Sequence, residues 1–248
     1  MLYDEYSKVV IAAIQAICES QKDKMSRAAE LAARTIEADG LIYVFGCGHS
    51  GILSCQGFYR AGGLACVAPV FEEKLMLHES AVESSLFEKQ DSFADCLKGK
   101  YRLEERDLMI CVSTSDKNAV PVEYAEYVRS LGIPTIAISS SAYYYRKVTN
   151  GIGKHLHEIC TVFIDNKAPY GDACLNILGQ SYPIAPISTI TGVFILNGIL
   201  ADAAQIASEH GIKVPVYASG NVDGGMEHNR DLIERYSSRI PHLGGGLV

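Results

Sequence analysis

The chain has 248 residues, with 22 Lys and Arg against 29 Asp and Glu, a net charge of −7 and no basic tract. That balance excludes a surface built for a nucleic-acid backbone or an anionic membrane, both of which need a positive patch. With 48% apolar residues, the chain can bury the core of one large α/β domain.

Residues 3–38 carry helical periodicity. Val10, Ile14, Ile17 and Cys18 share one face, and Ala28, Leu31, Ala32 and Thr35 extend it across a polar break at ESQKDKMS. A helix this long before the first strand has little core of its own to cover, so packing on a partner subunit, in a homodimer or homotetramer, is its expected use. Short apolar runs of the kind that make buried parallel strands follow at 41–45, 64–70, 107–112, 134–139 and 160–165. Helical stretches alternate with them at 50–61, 86–98, 118–131 and, more weakly, 141–150. An irregular segment, NKAPYGDACLNILGQSYPIAP, leads to a helix expected from Ser188 to His210, with Ser188 as its N-cap and Gly211 as its stop. A last helix, 225–237, precedes a tail ending in GGGLV. The expectation is a single domain over 1–248, helical over 1–38, an α/β core over 40–211, and a C-terminal helix and tail over 212–248.

Five parallel strands with helical crossovers predict a doubly wound sheet in the order 2-1-3-4-5, flavodoxin-like, with helices on both faces. Ligands bind such a sheet at the switch point between strands 1 and 3. The loops expected there are GCGHSG and STSDKN. In the first, Gly46 and Gly48 permit close backbone approach, Ser50 puts a hydroxyl at a helix start, and His49 beside it is a further candidate contact. In the second, Ser113, Thr114, Ser115 and Asn118 fall within six residues, just before a helix. Helix starts carry unpaired N–H groups and suit an anion, although each residue taken alone is more often a turn or cap residue. Gly46, Gly48 and Gly51 also satisfy a dinucleotide fingerprint, and Glu72 stands where its ribose-binding acid would. The long leading helix and the hydroxyl-rich third-strand loop count against that reading.

Eight cysteines show no C-x-x-C spacing and read as free thiols of a reducing, cytoplasmic compartment. No Cys or His pair has zinc-finger spacing, so neither metal nor cofactor is expected. His155 and His157 stand two apart, would diverge on a helix, and read as surface residues. Acidic Asp4 and Glu5 argue against a leader peptide. The apolar tract 187–201 is shorter than a membrane span needs and reads as a buried core helix.

FGCGHS, VSTSDKNAV followed by GIPTIAIS, and PIST at 186–189 together resemble the SIS (sugar isomerase) domain family over roughly residues 35–210. LMLHE, PYGDA and the DGG…NR ending are similar to a stand-alone subgroup of phosphosugar-isomerase-like members. The resemblance implies a phosphosugar as the small-molecule ligand and phosphate contacts at Ser50, Ser113, Ser115 and Asn118. Many members carry Ser-Gly where this chain has Ser115-Asp116; a carboxylate there repels a phosphate unless it turns away or pairs with Lys117.

The segment 72–84, EEKLMLHESAVES, is rich in titratable groups. Aldose–ketose isomerisation needs a base to move a proton between C1 and C2 and an acid to open the ring. The resemblance implies Glu79 as the base. His78 is then the candidate for ring opening or for a neighbouring subunit's site, and Glu83, one turn on, is the reserve carboxylate. Asp172 in APYGDA is a possible acceptor for a sugar hydroxyl, and Ser188 a further contact. The expected activity is sugar-phosphate isomerisation; elimination of the N-acetylmuramic acid 6-phosphate etherase type, or phosphosugar sensing without catalysis, are the alternatives.

Overall fold

The computed structural model describes residues 1–244; the end of the expected tail, 245–248, lies outside the described residues. The leading periodicity resolves into helices α1 (Leu2–Ser20) and α2 (Lys22–Glu37), which meet at Gln21. Gln21 is buried, and its side-chain oxygen accepts the N–H of Asp165 at 3.1 Å. The polar break therefore fastens the helix pair to the far end of the sheet. Helix α2 buries Ala28, Ala29, Ala32 and Ala33, small side chains that allow close approach to another helix.

Strands and helices alternate in the expected order: β1 (Ile42–Gly46), α3 (Ile52–Gly57), β2 (Val67–Val70), α4 (Leu77–Phe87), β3 (Leu108–Val112), α5 (Ala119–Ser130), β4 (Thr135–Ser139), α6 (Leu156–Ile159) and β5 (Val162–Asp165). Two helices are displaced from their expected ranges: the one expected at 86–98 is α4, and the one expected at 141–150 is α6, with only 3-10 turns at Phe93–Leu97 and Ser141–Tyr143. All strand pairs are parallel and the order is β2-β1-β3-β4-β5. Nearly every strand residue is buried, which is why each strand reads as a continuous apolar run and not as an alternation.

The irregular segment contains an antiparallel hairpin, β6 (Ala173–Leu175) and β7 (Ile184–Pro186). Tyr6 of α1 donates its hydroxyl to Pro186 O at 2.8 Å. Helix α7 (Ser188–Glu209) follows, then α8 (Gly225–Ser237). At 22 residues and a mean hydropathy of 1.5, α7 is long and apolar enough to cross a membrane by length and composition, longer than the tract 187–201 suggests. Its Ile195, Leu196, Ile199 and Ala203 are fully buried, and the helix packs against α2 and α3. That packing makes it the core helix expected.

One buried ion pair ties the C-terminal region to the sheet. Asp107, fully buried, accepts Leu41 N–H at 2.8 Å, Glu104 N–H at 2.7 Å and Arg239 Nη2 at 2.6 Å. The carboxylate thus fixes the entry of β1 and β3 together.

Candidate active site at the sheet switch point

Gly46 of β1 is the register partner of Val112 of β3. Strands in this relation lie about 4.8 Å apart, so the loops that begin at Cys47 and Ser113 leave the sheet side by side. The first loop is tight. A Cβ on Gly46 would stand 2.6 Å from the backbone carbonyl of Ser50, and Gly48 has φ +55°, so both glycines are required for the backbone to fold back. A 3-10 turn over Gly48–Gly51 leads into α3, with Ser50 half-buried and His49 exposed. Ser54 Oγ donates to Val44 O at 2.9 Å and holds α3 against the strand it left.

In the second loop Ser113 is buried, and its Oγ has no hydrogen-bond partner. Buried hydroxyls are nearly always paired, so this one has hydrogen-bonding capacity that the chain itself does not use. Thr114 and Ser115 are half-buried, and Thr114 Oγ1 accepts from Asn166 Nδ2 at 3.4 Å. Asn118 stands at the N-cap of α5 but makes no side-chain cap bond. Its amide donates to Glu88 Oε1 at 2.8 Å and its oxygen accepts from Thr149 Oγ1 at 3.3 Å.

Asp116 pairs with neither the loop nor Lys117. It adopts left-handed backbone geometry, φ +63°, and is fully buried against the start of α6. Asp116 Oδ1 accepts the N–H of His157 at 3.1 Å, and Oδ2 contacts Nδ1 of His157. Burial pushes the Asp116 carboxyl above its ordinary value, and the His157 imidazole offsets part of that rise. His155 and His157 do not diverge, and His155 is buried. His155 is the extended N-cap of α6 and His157 is its second residue, so the chain turns between them and brings both rings to one side.

The titratable segment lies against the first loop. A Cβ on Gly48 would meet Leu77 at 3.8 Å, and one on Gly51 would meet Met76 at 3.6 Å. His78 Nε2 lies 3.5 Å from Glu79 Oε1, and the two side chains are 69% and 53% exposed. Helix α4 breaks at Ser80, whose φ of −158° and ψ of 107° are extended. Ser80 Oγ accepts Glu83 N–H at 3.4 Å and starts the second half of the helix. Glu83 therefore does not stand one regular turn beyond Glu79, and it points to solvent.

Sequence reasoning missed Glu88. It follows α4, hydrogen-bonds to Asn118, and accepts the Val120 N–H on its backbone oxygen at 3.0 Å. Burial raises its carboxyl above the usual glutamate value, with the Asn118 bond opposing. Asp172 and Ser188 are brought together, but by each other: Asp172 accepts Ser188 N–H at 2.8 Å, Ser188 Oγ at 2.7 Å and Ile187 N–H at 3.2 Å. Asp172, not Ser188, caps α7. A separate groove of about 550 Å³ beside α5 is lined by Asp91, Asp95, Glu123 and Glu126; its charge opposes an anion, whereas the switch-point loops offer hydroxyls and N–H groups.

Residues 5–140 match the model of the SIS domain. The chain belongs to the SIS domain family. It is 39% identical over 243 residues to a UPF0309 protein of Geobacillus thermodenitrificans, covering 98% of both chains. A UPF0309 protein of Listeria innocua is 39% identical over 247 residues, covering 99% of this chain and all of that one. Among solved structures, phosphoheptose isomerase GmhA from Neisseria gonorrhoeae superposes with a TM-score of 0.53 at 16% identity, over 84% of this chain and 100% of that one. The sugar isomerase domain of an RpiR transcription factor from Sphaerobacter thermophilus gives 0.52 at 17% identity, over 94% and 98%. At these identities the SIS fold is what the two structures share with this chain.

Proposed function

We propose that the chain is a cytoplasmic sugar-phosphate isomerase that moves a proton between C1 and C2 through an enediol. The observation that carries the reading is the unpaired buried hydroxyl of Ser113 beside the glycine turn of β1. Ser50, Ser113, Ser115 and Asn118 hold the phosphate, with loop N–H groups as further donors. Glu79 takes the C2 proton as its carboxylate and returns it to C1, while the carbonyl oxygen gains a proton and the C2 hydroxyl loses one. His78 assists ring opening. The turn of Asp116 toward α6 supports the phosphate, because it removes the nearest negative charge from the cradle. The fully or partly buried thiols among the eight free cysteines agree with a reducing compartment.

The exposure of Glu79 favours a second reading, sensing without catalysis, since a catalytic base is ordinarily held in a desolvated position. Incubation with aldose and ketose phosphates in D2O, followed by proton NMR, separates the two. Exchange at C2 that disappears in Glu79→Gln with binding retained is the expected result; tight binding with no exchange in the wild type overturns catalysis.

A further inference from the structure

Asp116, His155 and His157 form a cluster that the phosphate cradle does not use. One candidate ligand atom from each lies within 4.8 Å of the other two. Backbone bonds preset the geometry. Asp116 O accepts Leu156 N–H at 2.8 Å, and Asp116 Oδ1 accepts His157 N–H at 3.1 Å. Those contacts leave Oδ2 facing both imidazoles. His155 Nδ1 stands 3.4 Å from Oδ2, and His157 Nδ1 contacts the same oxygen. The rings are inclined at 28° with centroids 5.4 Å apart.

Hydrogen bonding alone leaves this arrangement incomplete. The His155 side chain is 10% exposed, yet its Nδ1 has no hydrogen-bond partner. Lys117, the nearest cation in sequence, reaches for Thr149 Oγ1 at 3.4 Å instead of the carboxylate. A fully buried carboxylate and an orphaned buried imidazole nitrogen, aimed at one point, fit a divalent cation of borderline softness.

We propose that Asp116, His155 and His157 bind one zinc-type divalent cation. With zinc–ligand bonds of roughly 2.0–2.2 Å, neighbouring ligand atoms of a tetrahedron are about 3.4 Å apart, which the His155–Asp116 separation already matches. The His157 side chain is 23% exposed; rotation of its ring makes the remaining room, and that open side admits the ion and a water as fourth ligand. The ion ties the loop 113–118 to the start of α6. Charge neutralisation behind the cradle follows, but the site stands independently of any sugar chemistry.

The test uses full-length protein stripped with a chelator and titrated with Co2+ and then Zn2+. Expected are one ion per chain, the visible absorption of tetrahedral Co2+ lost on Zn2+ addition, and a higher melting temperature with metal. Asp116→Asn and His155→Gln should each abolish binding, and His210→Gln, at an exposed histidine, should leave it intact. Because the first two positions are buried, His157→Asn, at the partly exposed ring, serves as a further variant, with folding checked by circular dichroism. In the wild type, histidine side-chain NMR resonances of residues 155 and 157 should shift with Zn2+. The absence of saturable one-to-one binding, binding that survives substitution in a folded variant, or shifts confined to the other histidines would overturn the proposal.

Discussion

Asn118 gives its side-chain amide to Glu88 at 2.8 Å, and not to the first turn of α5 that it precedes. The pair joins the end of α4 to the second cradle loop. Burial raises the Glu88 carboxyl, so between the ordinary glutamate value and the raised folded value the native state binds more protons than the unfolded state. Stability therefore falls as pH rises through that window. Glu88→Gln keeps an oxygen for Asn118 and removes the buried charge. Its melting temperature should exceed the wild type's near neutrality, and the difference should vanish once pH drops below the ordinary glutamate range. Thermal unfolding across pH reads this directly.

Ser113→Ala deletes a buried hydroxyl that has no partner in the protein. Stability should be unchanged or slightly higher. Affinity for a phosphorylated sugar should drop by about 1.5–3 kcal/mol, the range for a hydrogen bond to a charged group, or roughly ten- to more than a hundredfold. Calorimetric titration beside a melting curve separates the two effects.

Gly46→Ala forces a Cβ to within 2.6 Å of the Ser50 backbone. Because the obstructing atoms are main chain, the loop must move, at a cost of about 1–3 kcal/mol. Denaturant midpoints should show that loss, and ligand binding should fall further than stability explains.

Asp107→Asn leaves Arg239 without its buried counter-charge. Breaking one partner of such a pair costs about 3–5 kcal/mol. The expected result is a large fall in the urea midpoint, far from the candidate site.

Asp172→Ala removes the carboxylate that accepts three hydrogen bonds at the start of α7. A lost cap costs about 1–2 kcal/mol. Hydrogen exchange should show new opening at the first turn of α7 and in the β6–β7 hairpin, with the sheet unaffected.

The sheet was legible because strands buried on both faces leave unbroken apolar runs, and parallel runs separated by helices admit few windings. The order 2-1-3-4-5 and the two cradle loops followed from that. The hairpin was not legible: β6 and β7 are three residues each and β7 is largely exposed, so no period shows. The helix expected at 86–98 lies at Leu77–Phe87 instead, and neither that displacement nor the break at Ser80 has a local signal. His155 and His157 were misjudged because two-residue spacing diverges only when both residues are helical, and one of them is an extended cap. Glu88 carries no local signal; its partner is 30 residues away, and only the folded chain brings them together.

The side-by-side departure of the loops after β1 and β3 separates grip from recognition. On the proposed reading, the phosphate meets glycine backbone and small hydroxyls rooted in buried strands. The rest of such a ligand would then meet the segments around the loops, above all the broken α4 with its exposed His78 and Glu79. A change of substrate would, on that reading, fall on the short broken helix α4 and leave the two loops at the sheet as they are.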